Sequence, residues 1–377
     1  MQDILSMKHG LNDKRLVDIC GIQYGCPFDA SLFSTSSYEG MPLIRIRDVK
    51  GGQTETYYSG EYSPEFIIRK GDYLIGMDGE FNIAPWQSED ALLNQRVCKI
   101  YTKSQDVVIK YVYRFLQKEL KKIENETPFV TVKHLSAKRL NQVYLPVPPI
   151  AEQDKIVAEL DCLSGIIEKK KLQLKELDNL AQSIFYEMFS NQDGTPVKLS
   201  QACSVVSGLV NPNDKPYCNY PHIGGANIES HSGKFVNVKL AKEENLISGK
   251  YQFDDTMILY SKIRPNLNKV ALPSFKGICS ADMYPLIPQN EFDKVFLKYI
   301  LTQKVFLDYA ISHSGRANIP KINREDLLNY EFLTYPITLQ QDFASKIEAI
   351  EKQKELIAQS IKETETLFNS RMDYYFN

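Results

Sequence analysis

The feature of this sequence that most limits its possible folds is an internal repeat. Aligning Pro149 with Pro336, at an offset of 187 residues, also pairs Gln153 with Gln340. Near the beginning of each copy the offset is 183 residues. Such a repeat is one structural unit made twice, so the 377 residues predict two copies of about 188 residues each. The middles of the copies share few identities, which is typical of equivalent modules that recognise different targets.

The front part of each copy predicts a mixed α+β globule. Residues that alternate between apolar and polar predict strands at 42–47 and 71–76 in the first copy, and at 220–223 and 256–260 in the second. A turn is expected at 77–80, and helices are expected over 108–124 and 293–310. The aromatic stripe of the later helix, Phe296, Tyr299 and Phe306, is typical of a hydrophobic core.

The rear part of each copy predicts a long helix. Pro146–Pro149 stops the preceding structure, and Glu152 favours a helix start through the helix dipole. Apolar residues then recur alternately three and four positions apart, which predicts a coiled-coil seam. The seam residues are Leu160, Leu163, Ile167, Leu174 and Leu177 in the first helix and Ile347, Ile350, Ile357 and Ile361 in the second. The alternative is that each helix packs only on its own globule.

Two such helices bury both stripes if they pair with each other in antiparallel orientation. The predicted fold class is therefore α+β, with two similar α/β domains in a pseudo-twofold arrangement, separated by two long antiparallel coiled-coil helices. The expected domains are residues 1–150, a first spacer helix 151–190, a second domain 191–336 and a second spacer helix 337–377. Two similar modules related by twofold symmetry are suited to two half-sites on a DNA duplex. The helices would then set the spacing.

Candidate DNA contacts follow from this hypothesis. Lys and Arg bind phosphates, and Arg, Asn and Gln also read base edges. The candidates in the first copy are Arg47, Lys50, Gln53, Asn82, Arg96 and Lys133, and those in the second are Lys262, Arg264, Asn266, Asn268, Lys269, Ser314, Arg316, Asn318 and Lys321. The alternative for each is a solvated surface loop. With 45 basic and 47 acidic residues the net charge is −2, so the chain is not a general basic coat for nucleic acid.

Catalytic and metal-binding motifs are missing from the sequence. It has no G-x-x-x-x-G-K-[ST] loop, no G-x-G-x-x-G, no G-x-S-x-G and no Asn-Pro-Pro-aromatic tetrapeptide. The seven cysteines form no C-x-x-C pair and the five histidines have no ligand spacing, so buried or incidental thiols are expected rather than a metal site. Asp78 and Glu80 could form a metal-binding acid pair, although turn chemistry is the simpler interpretation.

Neither a signal peptide nor an apolar stretch of about 18 residues is evident in the sequence. We therefore expect a soluble, cytoplasmic protein that does not contact a membrane.

Four segments resemble the specificity subunit of type I restriction–modification systems. They are LPVPPIAEQ at 145–153, GDYLIGMDGEFN at 71–82, LNQRV at 93–97 and SGRANI at 314–319. The order of a variable globule, a proline-rich stop, Glu-Gln and a heptad helix, repeated once, is similar to that family over essentially the whole chain. The second copy departs from the pattern at 335–341, where one proline and the Glu are missing.

The resemblance implies a non-catalytic DNA-binding adaptor with two target recognition domains, each specifying one half of a split site. It also implies that the helices dock two modification (methyltransferase) subunits, which bring S-adenosylmethionine and methylate adenine, and that restriction (motor-nuclease) subunits can join. No cofactor is expected on this chain. Two alternatives remain open from the residues alone: a coiled-coil scaffold whose globules bind protein or carbohydrate, and a self-sufficient nuclease.

Overall fold

The computed structural model describes residues 13–38, 40–127, 133–315 and 319–376. The chain forms two compact units, one made of Met1–Leu172 with Gln359–Asn377 and the other of Gln173–Ala358. Each unit therefore contains a globule together with one segment from each of two long helices.

The first unit is built on an antiparallel sheet of four strands. Its strands are β1 (Asp13–Arg15), β2 (Cys20–Tyr24), β3 (Phe33–Ser34), β4 (Met41–Ile44), β5 (Tyr57–Tyr58), β6 (Ile67–Ile68), β7 (Tyr73–Gly76), β8 (Asn82–Pro85), β9 (Ala91–Leu93), β10 (Val97–Thr102) and β11 (Tyr144–Pro146). Its helices are α1 (Leu16–Ile19), α2 (Ile46–Val49), α3 (Ile109–Glu126), α4 (Ala137–Leu140) and the start of α5 (Ile150–Phe189). The main sheet has the order β2-β10-β7-β8, a second has the order β3-β5-β4-β9-β6, and β1 pairs with β11.

The second unit repeats this plan. Its strands are β12 (Thr195–Lys198), β13 (Cys203–Val205), β14 (Pro221–Ile223), β15 (Lys239–Leu240), β16 (Tyr251–Phe253), β17 (Ile258–Ser261), β18 (Val270–Ala271), β19 (Gly277–Cys279), β20 (Met283–Pro288) and β21 (Glu331–Thr334). Its helices are α6 (Leu199–Ala202), α7 (Lys294–Thr302), α8 (Lys304–Ser312), α9 (Arg324–Leu328) and the start of α10 (Ile337–Phe376).

The sheet orders confirm the repeat. The order β13-β20-β17-β18 matches β2-β10-β7-β8, and the pair β12–β21 matches β1–β11. Each unit also has a second sheet, β3-β5-β4-β9-β6 or β15-β14-β19-β16, which contains one parallel strand pair, β4–β9 or β14–β19. The α+β class and the two similar domains predicted from the sequence are thus confirmed, and the second sheets differ in their number of strands.

Each globule closes its core with a helix and with the end of a long helix. In the first unit Tyr111 and Phe115 lie on the buried face of α3, and the Phe376 ring of α10 lies 5.4 and 5.7 Å from theirs. In the second unit Phe296 lies 5.5 Å from Phe189, near the end of α5. Phe296 and Phe306 are buried and Tyr299 packs against the same core, so the aromatic stripe is a core feature, as predicted.

Two predicted elements differ from the structure. The expected strand 42–47 ends at Ile44, because the Asp48 carboxylate accepts the Arg45 N–H at 2.8 Å and caps the short helix α2. The expected helix 293–310 is two helices, since Gln303 adopts an extended backbone. At that break the Asn268 side chain donates to the Thr302 carbonyl at 3.0 Å and satisfies a helix-end acceptor.

The segments of α5 and α10 run antiparallel within each unit. In the first unit Glu159 of α5 binds Arg371 of α10, and Lys171 of α5 binds Glu365 of α10. Residue numbers therefore rise along α5 where they fall along α10. In the second unit Lys354 lies 2.8 Å from Asp178, and the rings of Phe343 and Phe185 are 5.6 Å apart.

The predicted seam is largely buried. Leu160, Leu177, Ile347, Ile350 and Ile361 are buried, while Leu163, Ile167, Leu174 and Ile357 are half-buried. Leu160, Leu177, Ile347 and Ile350 also belong to the globule cores, so the helices pack both on each other and on the globules. None of the helices that the structure describes has the length and hydropathy needed to cross a membrane.

Candidate nucleic-acid interface

The hairpin β7–β8 carries a loop that a distant segment of the chain holds in place. The Met77 N–H donates to the Arg96 carbonyl at 3.0 Å, and the Met77 carbonyl accepts the Leu135 N–H at 2.7 Å. The Gly79 N–H donates to the Lys133 carbonyl at 2.9 Å. We call residues 77–81, with the flanking segments 94–96 and 133–135, the first clasped loop.

The hairpin β17–β18 is held by the same three hydrogen bonds. The Lys262 N–H donates to the Asp282 carbonyl at 3.1 Å, and the Lys262 carbonyl accepts the Ile322 N–H at 3.1 Å. The Arg264 N–H donates to the Pro320 carbonyl at 2.7 Å. Residues 262–269, with 280–282 and 320–322, form the second clasped loop, which is three residues longer between its strands.

Gly79 and Arg264 occupy the same position of the two loops. Their φ angles are 74° and 49°, so both adopt the left-handed region that glycine favours and that other residues enter at a cost. Retention of this conformation with an arginine in the second copy indicates that the backbone of the loop is kept while its side chains change.

An ion-paired cluster lies on the first clasped loop. The Asp78 carboxylate is 2.5 Å from His134 Nδ1 and 3.5 Å from Arg96 Nε. Arg96 and His134, together with Tyr24 and Gln95, line an open cleft of about 340 Å³. The cluster therefore presents a donor-rich guanidinium and an imidazole at the mouth of a cleft.

The other basic residues predicted in the first copy differ in their exposure and in their contacts. Arg47 is exposed on α2 and lies 3.7 Å from Asp48, and the exposed Lys50 ammonium lies 3.3 Å from Glu80. Lys50 therefore reaches the loop. Lys133 Nζ donates to the Glu124 carbonyl at the end of α3, at 2.5 Å. The Lys133 ammonium therefore binds a backbone group of its own unit.

The Asn82 side chain does not extend from the first clasped loop. The Asn82 amide donates to the Glu80 carbonyl at 2.9 Å, and its Oδ1 is buried without a partner in the described part of the chain. This amide therefore folds back into the hairpin. Gln53 is exposed beyond α2.

In the second copy three of the predicted side chains are used to hold the loop. Lys262 Nζ donates to the Ala281 carbonyl at 2.7 Å, and Lys269 Nζ donates to the Gly225 carbonyl at 2.6 Å. Asn268 is the residue that binds the Thr302 carbonyl. These three side chains therefore bind backbone carbonyls of their own unit and hold the loop in place.

Three others are exposed on the second clasped loop, namely Arg264, Asn266 and Lys321. Lys321 lies beside the loop through a bridge to Ile263. The Ser314 hydroxyl donates to the Ala310 carbonyl at 2.6 Å and so extends the end of α8. Arg316 and Asn318 lie outside the described residues.

The candidates predicted from the sequence did not include Asp282 or His134. They included Asp78 only as a turn residue or a metal ligand, whereas its carboxylate contacts His134 and Arg96. Glu80 contacts Lys50, so the two carboxylates do not share one partner. Across residues 13–38, 40–127, 133–315 and 319–376, no group of three or more His, Cys, Asp or Glu is placed to hold a metal ion. The alignment offsets of 183 and 187 residues would pair Arg96 with Cys279 or Met283, so its equivalence to Asp282 follows only from the strand register.

Residues 9–177 match the model of the type I restriction modification DNA specificity domain. The type I restriction enzyme EcoBI specificity subunit of Escherichia coli is 41% identical over 162 residues, which cover 43% of this chain and 34% of that protein. The EcoDI specificity subunit of the same organism is 26% identical over 287 residues, which cover 65% of this chain and 64% of that protein.

The fold has a counterpart among solved structures. The S subunit of a type I restriction–modification system from M. genitalium has a TM-score of 0.60 at 12% identity, and the match covers 98% of this chain and 97% of that one. At this identity the likeness shows the fold alone. The matched regions are about a third and just under two thirds of the lengths of the two E. coli relatives. The family resemblance inferred from the sequence is thus confirmed by the match of residues 9–177 to the type I restriction modification DNA specificity domain.

Proposed function

We propose that this chain is the sequence-specific DNA-binding subunit of a type I restriction–modification complex, in which each unit reads one half of a bipartite site. The observation that carries the proposal is the pair of clasped loops, which share three backbone hydrogen bonds and differ in the side chains on them. A fixed backbone with exchanged side chains is what two modules need if they dock on DNA alike and read different bases.

The two clasped loops carry different side chains at two equivalent positions. Where the first loop has Gly79 the second has Arg264, and where the first has His134 the second has Lys321. Both pairs of positions are set by equivalent hydrogen bonds of the clasp. The two units therefore offer different donors on one common scaffold.

Phosphate contacts are the simpler part of such an interface. Arg47 is exposed on α2 of the first unit, and Lys321 is exposed on the second clasped loop. Such side chains neutralise phosphates without regard to sequence. With a net charge of −2 the chain has little general attraction for DNA, so we expect partner subunits to supply much of the phosphate binding.

The partners in this proposal are double-stranded DNA, two modification subunits and, for cleavage, restriction subunits. The seam residues are occupied within the chain, whereas several apolar side chains of the long helices are exposed. They are Leu172, Leu180 and Tyr186 on α5 and Leu356 and Leu367 on α10. Exposed apolar side chains of this kind support docking of the modification subunits along the helices.

The chain itself would then be non-catalytic. S-adenosylmethionine would bind the modification subunits and not this chain, and the long helices would set the number of bases between the half-sites. The complex would act where the chromosome is, in the cytoplasm.

The test is to express the chain with modification subunits from the same genome in a host that lacks adenine methylation of this kind, and to sequence the DNA with methylation-sensitive reads. We expect methylated adenines in one bipartite motif, with two short half-sites and a constant spacer. Omitting the chain should abolish the methylation. No motif with all subunits present, together with no DNA binding by the complex, would favour the alternative of a scaffold that binds protein or carbohydrate.

A further inference from the structure

We propose that Arg96 and Asp282 are equivalent base-reading residues of opposite hydrogen-bonding type, Arg96 for guanine in one half-site and Asp282 for the amino group of cytosine in the other. The inference rests on the proposed function and names the base chemistry that each clasped loop recognises.

The equivalence of the two residues is set by the backbone. Arg96 immediately precedes β10, and Asp282 immediately precedes β20, the matching strand. Their carbonyls accept the N–H of Met77 and Lys262, which are the first residues of the two clasped loops, at 3.0 and 3.1 Å. The two residues therefore occupy equivalent positions, with a positive φ at Arg96 only, yet one side chain is only a donor and the other, when ionised, only an acceptor.

Arg96 is both exposed and held. Its side chain is 54% exposed, and its Nε lies 3.5 Å from the Asp78 carboxylate, which is itself only 20% exposed. Asp78 is fixed in turn by His134. An arginine oriented by a carboxylate keeps its remaining N–H groups free to bind guanine O6 and N7 together, the commonest specific contact in the major groove.

The backbone of Arg96 supports the same role. Its φ of 105° lies in a region that side-chain-bearing residues rarely adopt. Such strain persists where the surrounding structure enforces it, and it concentrates at functional sites. Here the enforcing contacts are those of the first clasped loop, which aim the side chain beside the cleft.

Asp282 has the complementary chemistry. Its side chain is 63% exposed, with the Lys262 ammonium 3.8 Å away. Lys262 is anchored on the Ala281 carbonyl and lies 5.3 Å from the centre of the Tyr284 ring. It therefore flanks the carboxylate without covering it, and leaves an acceptor suited to the exocyclic amino group of cytosine.

The experiment uses the complex of the full chain with its modification subunits and a library of duplexes randomised over both half-sites. Arg96→Asp places the second unit's side-chain type on the first unit, and aspartate tolerates positive φ better than most residues. We expect the preference for guanine at one position of one half-site to fall by about 5- to 150-fold, with the other half-site unchanged. Asp282→Asn should lower a cytosine preference in the other half-site only.

Matched controls separate base reading from charge and folding. Arg15 is similarly exposed in the same unit and is paired with Asp18, and Asp342 is an exposed acid of the second unit. Arg15→Asp and Asp342→Asn should leave the selected motif unchanged. Asp78→Asn tests the positioning role. It should weaken the guanine preference at the same position without changing Tm, and Asp78→Glu should restore part of that preference.

The outcomes distinguish the two levels of inference. If the unaltered complex selects no bipartite motif, the proposed function fails. If it selects one and Arg96→Asp weakens all sequences equally, Arg96 binds phosphate and the present inference is wrong. If Asp282→Asn changes the affinity for all sequences equally, Asp282 acts only through its charge and the inference is wrong as well. An unchanged motif with either variant would also overturn it.

Discussion

The side-chain oxygen of Gln153 accepts the backbone N–H of Val108, 2.9 Å away, at the point where α3 begins. Its amide donates to the carbonyls of Asp106 and Pro148 at 2.8 and 2.7 Å. One fully buried side chain of α5 therefore satisfies three backbone groups of its own unit. In the second unit Gln340 accepts the Asp293 N–H at 3.0 Å, so the repeat keeps this joint in both copies.

Replacing Gln153 with leucine should destabilise the first unit strongly. The change removes hydrogen bonds from one buried and two part-buried backbone groups. A buried group left without a partner costs about 1–3 kcal/mol, so we expect a loss of about 2–3 kcal/mol. Urea unfolding of the full chain measures it. Gln173→Leu, at an exposed position of the same helix, is the control and should change the unfolding free energy by about 0.5 kcal/mol at most. Equal effects of the two substitutions would contradict this role of the joint.

The end of α5 makes a second, apolar joint in the second unit. Phe189 is 3% exposed, and its ring centre lies 4.4 Å from that of Tyr335 and 5.4 Å from that of Phe343. Phe189→Ala removes a large buried side chain, so we expect a loss of about 3–5 kcal/mol. Tyr186→Ala, one turn earlier and 60% exposed, is the matched control. Similar stability losses for both variants, measured by thermal or urea unfolding, would show that Phe189 does not close the core.

An ion pair between the long-helix segments of the first unit predicts a pH dependence. Arg371 donates hydrogen bonds to Glu159 and holds the pKa of that carboxyl below its ordinary value of 4.5, and Tyr375 acts in the same direction. A lowered folded-state pKa means that the stabilisation is complete above the unfolded-state value and disappears as the pH falls through the folded-state one. Glu159→Gln should therefore lower the unfolding free energy at pH 7. In acid the unfolding free energies of the variant and the parent protein should become similar.

The magnitude of this effect should be modest. The side chains of Glu159 and Arg371 are 37% and 33% exposed, so solvent screens the pair and we expect less than about 1 kcal/mol. Urea unfolding from pH 7 to pH 3 measures the difference, with Glu363→Gln at an exposed site of α10 as the control. A stability difference that persists unchanged at pH 3 would exclude the ion pair as its cause.

The predictable parts of the fold are those that depend on residue patterns local in the sequence. The spacing of Leu160, Leu177, Ile347 and Ile350 predicts long helices because helical periodicity is local, and Gln153 with Gln340 marks the same step in both copies. The break at Gln303 could not be predicted in this way. No proline or glycine marks it, and the acceptor at the helix end is satisfied by Asn268, 34 residues earlier.

The same limit applies to the candidate interface. Residue type identified Lys262 and Lys269 as cations suited to phosphate, but the directions of their side chains depend on carbonyls 19 and 44 residues away. Asp78 was ambiguous because its partners, His134 and Arg96, come from other segments of the chain. Long-range backbone pairing decides which polar side chains are used inside the fold, and sequence spacing does not contain that information.

Lys321 should contribute affinity for DNA without contributing specificity. It is exposed, follows the clasp at Pro320, and occupies the position that His134 has in the first unit. A lysine that neutralises one phosphate releases one counterion equivalent, so Lys321→Ala should lower the slope of log affinity against log salt by about 0.9. Binding of the complex to specific and unrelated duplexes should weaken by the same factor in titrations at several salt concentrations. Lys346→Ala, which removes an exposed lysine of α10 in the same unit, should alter neither quantity. A loss confined to one base position would instead make Lys321 a base-reading residue.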